Sequence, residues 1–260
     1  MKRVKLVVAN WKMYLSVHEA SVLTNRLDQV IKVHRDVEVV LAPNFLCLQP
    51  LSVEIDRRKF RLAAQDGFFI DDGAYTGAVS YSQMRELVNY AIIGHSERRR
   101  YFHESFDDVR DKVAAAVRNG ITPILCLGET KEERAQKETK QVLHDQVVTA
   151  LSNITSEDAE NLVLAYEPIW AVGAKEPASP DTIATAVDWI RYQVRELYGK
   201  KTEESIRVLY GGSDEPEYVS SIMAIDGVDG LLVGRASLNY ESFNDIVTGV
   251  HLAALSETKN

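Results

Sequence analysis

Cysteine is scarce: Cys47 and Cys126 are the only two in 260 residues. Both sit in apolar runs and read as reduced core residues, which excludes a disulfide scaffold. No apolar stretch near the start is long enough for a secretory leader or a membrane span, so the cytoplasm is the expected compartment. A basic stripe is also missing. Net charge is -8, and Arg98-Arg99-Arg100 is a short run followed by acidic residues. A nucleic-acid partner is therefore not expected. No Gly-x-Gly-x-x-Gly follows the first apolar run, which argues against an open dinucleotide-binding sheet. No linker, low-complexity tract or charge block divides the chain, so residues 1–260 read as one domain.

What is present is ordinary for a soluble globular protein, with 45% hydrophobic and 26% charged residues. A chain of this length buries roughly 70–75% of its unfolded surface and needs no staples. Eight short apolar runs recur: Leu6–Ala9, Val37–Ala42, Arg61–Ala64, Ala91–Gly94, Thr122–Leu127, Leu162–Tyr166, Arg207–Tyr210 and Gly230–Val233. Most are rich in Val, Ile and Leu without strict alternation, the pattern of strands buried on both faces.

Segments of helical period lie between them. Val17–Val33 follows Ser16, with Glu19 completing a capping box. Ser105–Val117 opens with Ser105 and Asp108 in a similar relation. Lys131–Leu151 follows Thr130, with Glu133 three residues on. Pro180–Leu197 has Ser179 as N-cap and proline in first position. Weaker helices are expected at Leu46–Arg57, Ser82–Asn89, Glu217–Ala224 and Phe243–Leu255. Strands alternating with helices imply parallel pairing and right-handed crossovers. Eight such units predict an α/β fold closed as a (β/α)8 barrel, with a doubly wound open sheet as the alternative.

In such a barrel, function collects where strands end. Glu167 follows a buried strand at once, among apolar neighbours, and Pro168 stops the strand. Apolar surroundings are expected to raise its carboxyl pKa, which suits proton abstraction. The alternative is a glutamate ending a strand in solvent. Asn10 and Lys12 follow the first strand; an ammonium at the mouth would attract an anion, though Lys12 alone reads better as a solvated surface lysine. His95 follows the fourth strand, before a short helix whose dipole disfavours the imidazolium. By itself it reads better as a structural core histidine. Gly211-Gly212-Ser213 and Gly234-Arg235 follow strands seven and eight, where backbone N–H groups can approach a phosphate, or where glycines simply make tight turns.

Taken together, Asn10-Trp11-Lys12-Met13, Gly73–Gly77, Gly94–Arg99, Ala165–Gly173, Tyr210–Ser213 and Val233-Gly234 closely resemble the triosephosphate isomerase family over essentially the whole chain. The resemblance implies a TIM barrel and an aldose–ketose isomerisation between D-glyceraldehyde 3-phosphate and dihydroxyacetone phosphate, a step of glycolysis and gluconeogenesis, with no metal and no cofactor. It implies Glu167 as base, neutral His95 as electrophile, and Lys12 with Asn10 holding substrate. Glu97 would support the lysine, and Gly173, Ser213, Gly234 and Arg235 would donate to the phosphate. Residues Pro168–Ala178 would form a closing lid. The loop Asp72–Ser80 would enter a second subunit of a homodimer.

Four positions depart from the family pattern: the lid tip Gly173–Ala178, Ala78, Asp214, and Arg235 in place of a glycine. They leave open a related isomerase of a tetrulose phosphate. A sugar-phosphate-binding barrel without turnover is the non-enzymatic alternative, but it would need no base.

Overall fold

In the computed structural model, which describes residues 3–174, 176–212 and 215–257, the eight apolar runs become eight parallel strands. They are β1 (Lys5–Asn10), β2 (Val37–Ala42), β3 (Phe60–Ala64), β4 (Tyr90–Ile93), β5 (Thr122–Leu127), β6 (Val163–Tyr166), β7 (Arg207–Tyr210) and β8 (Gly230–Val233). They pair in sequence order, and β8 returns to β1, closing a barrel. The register runs Asn10↔Ala42 between β1 and β2, Tyr166↔Tyr210 between β6 and β7, and Leu6↔Gly230 at the closure. That closure needs glycine: φ at Gly230 is +153°, and a Cβ there would stand 1.8 Å from the Leu6 carbonyl oxygen.

Burial on both faces explains the missing alternation. Leu6, Val8, Val40, Ile92, Ile124 and Leu209 fill the barrel interior. Their neighbours Val7, Val39, Leu41, Leu125, Leu164 and Val208 pack beneath the helices. Most strand residues are thus apolar whichever way they point. Cys47 and Cys126 are both free and buried. Burial pushes the Cys126 thiol well above its usual range.

The helices mostly follow their caps. The Ser16/Glu19 and Ser105/Asp108 boxes are formed, opening Val17–Val30 and Phe106–Arg118. Ser179 caps Pro180–Tyr198. Three expectations are corrected. Lys131–Leu151 is two helices, Lys131–Ala135 and Thr139–Leu151, because Lys137 turns left-handed at φ 63°. The weak helix at Ser82–Asn89 is one turn, Tyr81–Met84, because the Asn89 N–H goes instead to the Leu62 carbonyl. The first helix stops at Val30, where Ile31 becomes extended. Short helices at Ser156–Ala159 and Lys200–Ser205 carried no distinct apolar period.

Candidate active site

The C-terminal ends of β1, β4, β6 and β8 meet at one mouth. Beyond β1, Lys12 adopts φ 50°, unusual for a residue with a Cβ. Its backbone is held there on both sides: its N–H donates to Asn10 Oδ1 at 3.1 Å, and its carbonyl accepts from Gln65 Nε2 at 2.9 Å. Gln65 Nε2 also donates to the Ala42 carbonyl, tying the loop to β2. So positioned, Lys12 Nζ reaches Glu97 Oε1 at 2.7 Å.

His95 caps the helix Ser96–Tyr101. Its Nδ1 accepts from the Glu97 backbone N–H at 3.2 Å, which places the ring proton on Nε2. Nε2 lies 3.0 Å from Glu167 Oε1. A second proton on Nδ1 would break this cap.

Glu167 is 3% exposed. Its other carboxylate oxygen accepts from the Ser96 N–H at 3.4 Å. The sequence-based expectation of a raised carboxyl pKa is corrected here. Burial does push it up, but the adjoining His95 pulls it down, followed by Arg99 and the Ser96 N–H. The net direction is below the ordinary carboxylate value. Arg99, in the sequence only part of a short arginine run, folds inward and donates to the Gly94 carbonyl at 2.9 Å.

Two glycines make room for Glu167. A Cβ at Gly128, after β5, would lie 1.8 Å from the Glu167 carbonyl oxygen. One at Gly211, after β7, would lie 2.9 Å from Glu167 Cγ.

The segment after Pro168 is anchored at both ends. Ile169–Ala171 forms a 3-10 turn, and Trp170 Nε1 donates to Glu129 Oε1 at 2.8 Å. Tyr166 Oη also donates to the Glu129 carboxylate, and the Arg134 guanidinium stacks 4.2 Å from the centroid of the Trp170 ring. At the far end, the Ala178 N–H donates to Tyr210 Oη at 3.0 Å. Gly173 and Ala174 between them are exposed. Glu129, Arg134 and Gln65 were not singled out from sequence, and Tyr210 stood there only as part of the Tyr210–Ser213 motif. Glu129, which is fully buried, had a usable signal as a carboxylate two residues beyond an apolar run.

Lys12, Glu97, Gly173, Gly212, Gly234 and Arg235 line one cavity of about 320 Å³. Asn10, His95 and Glu167 do not line it but are bonded to residues that do: Asn10 to the Lys12 N–H, His95 to the Glu97 N–H and Glu167 to the Ser96 N–H. Lys12 Cε lies 3.9 Å from where a Cβ would stand on Gly234. Arg235 is exposed and opens a 3-10 turn, Arg235–Leu238. It is not among the residues with positive φ, so replacing a glycine there costs no backbone strain. Ser213, Asp214 and Lys175 lie outside the described residues. Chemically, the mouth offers a carboxylate, an imidazole N–H donor and an ammonium beside a cavity of about 320 Å³.

Comparison with known proteins agrees with this geometry. A family model described as triosephosphate isomerase matches residues 5–250. The triosephosphate isomerase of Thermodesulfovibrio yellowstonii is 41% identical over 244 residues, covering 94% of this chain and 98% of the relative. That of Carboxydothermus hydrogenoformans is 40% identical over 248 residues, covering 95% and 99%. That of Geotalea uraniireducens is 41% identical over 246 residues, covering 94% and 98%. The chain belongs to the triosephosphate isomerase family.

Proposed function

We propose that the protein interconverts D-glyceraldehyde 3-phosphate and dihydroxyacetone phosphate through an enediol, as a single catalytic unit spanning residues 1–260. The observation that carries this is the His95 Nε2–Glu167 Oε1 pair at 3.0 Å beside a cavity holding the Lys12 ammonium. The Glu167 carboxylate takes the proton from the carbon next to the carbonyl. His95 Nε2–H hydrogen-bonds the carbonyl oxygen as it gains charge, and this family is the reference case for such a neutral histidine electrophile. Lys12 offsets the developing oxyanion and, with Asn10, holds the substrate. Glu167 then returns the proton to the neighbouring carbon. Gly173, Ser213, Gly234 and Arg235 donate backbone N–H groups to the phosphate. None of these steps calls for a metal or a cofactor.

Pro168–Ala178 closes over the substrate, excluding water that would let the enediol lose phosphate; the family is also a reference case for loop closure. The Trp170–Glu129 and Ala178–Tyr210 bonds define the two ends about which the tip moves. A coupled assay of purified protein on glyceraldehyde 3-phosphate tests the activity. Turnover no faster than solution isomerisation would leave a binding barrel.

Arg235 bears on substrate choice. Its exposure and unstrained backbone support a role for its N–H, with the guanidinium turned to the rim. Arg235→Gly is therefore expected to keep kcat/KM on triose phosphate within about tenfold of wild type. A loss on the order of a hundredfold would put the guanidinium on the substrate. Such a loss confined to a tetrulose phosphate would favour that substrate instead.

Dimerisation fits the surface. Residues 72–78 are exposed, and Tyr75 packs on Phe68 at 4.7 Å between ring centroids, stiffening the loop. Met13, Tyr14, Leu46, Tyr101 and Phe102, on segments after β1, β2 and β4, are exposed apolar groups. A homodimer through Asp72–Ser80 is expected in equilibrium sedimentation at micromolar concentration, and a fully active monomer would exclude it. The expected compartment is the cytoplasm. No helix among the described residues is long and apolar enough to cross a membrane, and the acidic balance offers nucleic acid no footing.

A further inference from the structure

At the opposite end of the barrel, three ligating side chains converge that the isomerase chemistry does not use. His34 lies in the segment between the first helix and β2, Asp36 directly precedes β2, and His251 projects from the last helix, Tyr240–Ser256. One ligand atom from each lies within 4.8 Å of the others. His251 Nδ1 is 2.8 Å from Asp36 Oδ1 and 2.9 Å from Oδ2. The His34 ring stacks on the His251 ring at 3.9 Å between centroids, tilted by 31°. All three residues are half-buried.

We propose that His34, Asp36 and His251 form a binding site for a borderline divalent transition metal of the zinc class, which clips the last helix to the start of β2.

The donor set decides the class. Two imidazole nitrogens and one carboxylate oxygen suit zinc, cobalt or nickel, whereas magnesium and calcium require mostly oxygen ligands. Two stacked imidazoles facing one carboxylate are a poor arrangement for hydrogen bonding alone. Asp36 already has both oxygens within reach of His251 Nδ1, and if both rings were protonated two positive charges would stack. A metal replaces the bridging proton and uses all three groups at once. Half-burial leaves outer positions for water, so the site is a clip and not a closed cage.

Place gives the consequence. Asp36 and His251 are 215 residues apart in sequence. A link between them closes most of the chain into one loop, and closing long loops removes the most freedom from the unfolded chain. The metal should therefore raise stability without touching turnover.

The test uses the untagged full chain, stripped of metal, with zinc chloride and cobalt chloride as probes. Zinc at a hundredfold excess over its Kd is expected to raise Tm by roughly 5 °C for a chain of this length. One equivalent of cobalt is expected to give a visible ligand-field spectrum. Both effects should vanish in His251→Gln and in His34→Asn, whose metal-free kcat/KM should stay within about twofold of wild type. His34→Asn lies outside the helices and keeps the test valid if His251→Gln folds poorly. Magnesium should give no shift. The proposal fails if wild type shows neither shift nor spectrum, or if magnesium acts as zinc does. It fails equally if both variants keep the wild-type response, which would place the ion on other groups such as His95 and Glu167.

Discussion

Glu167→Gln is expected to lower kcat on the order of a thousandfold, with KM and the thermal transition changed little. The amide has the shape of the carboxylate, so the spaces bounded by Gly128 and Gly211 still accept it. It cannot take a proton from carbon, so only polarisation by His95 and Lys12 would remain. Glu167→Asp should fall between, losing on the order of a hundredfold, because a carboxylate withdrawn by one methylene misplaces the transfer. Steady-state kinetics beside a melting curve separate these outcomes from unfolding. Wild-type turnover by Glu167→Gln would remove this residue from the mechanism.

The ionisation of this group carries a sign that can be read directly. Its carboxyl is held below the ordinary value in the free protein. It is therefore ionised at neutral pH and takes up a proton only as pH falls through that depressed value. Carboxyl carbon NMR of the free enzyme, with Glu167→Gln to assign the signal, should show a midpoint on the acidic side of ordinary glutamates. A midpoint near neutrality would mean that burial outweighs His95 and Arg99.

Lys12→Ala is expected to lower kcat/KM by at least about a hundredfold, with affinity and rate both affected. Lys12 brings an ammonium into the mouth of a chain of net charge -8, where the substrate is a dianion and its transition state carries a further developing charge. Removing the ammonium also strands Glu97, whose carboxylate would face the cavity uncompensated and repel the phosphate. The double variant Lys12→Ala with Glu97→Gln should therefore recover part of the lost affinity but little of the rate. Separate fits of kcat and KM read this split, and an unchanged kcat/KM would return Lys12 to the status of a surface lysine.

What was legible in the sequence was whatever the chain carries in order. Strands buried on both faces show as apolar runs, so the barrel and the positions just beyond each strand could be counted off. Glu167 was marked by that position, whereas His95 and Lys12 stood out only through the resemblance of the whole set of strand ends to one family. What was not legible depends on contacts between distant segments. Glu129 matters because Trp170 folds back to it, and Tyr210 because the Ala178 N–H reaches it. Gln65 matters through a backbone carbonyl on another loop. The apolar neighbours of Glu167 in sequence pointed to a raised pKa. Its neighbours in space, His95 and Arg99, reverse the direction. The break at Lys137 was hidden because lysine is ordinarily a good helix former.

Gly128 and Gly211 have a meaning for how this barrel can change. The strand carrying Glu167 is flanked by two strand ends with no space for any side chain. In many barrels the ends of neighbouring strands are where new groups are tried, since a residue there faces the substrate. Here the two positions packed against Glu167 are closed to variation for as long as the base follows β6. Diversity in what the mouth accepts must therefore arise farther out, at rim positions such as Tyr14, Glu215 and Arg235 or in the lid tip. The inner geometry is inherited as a block, and novelty is confined to the edge that meets the substrate's far end.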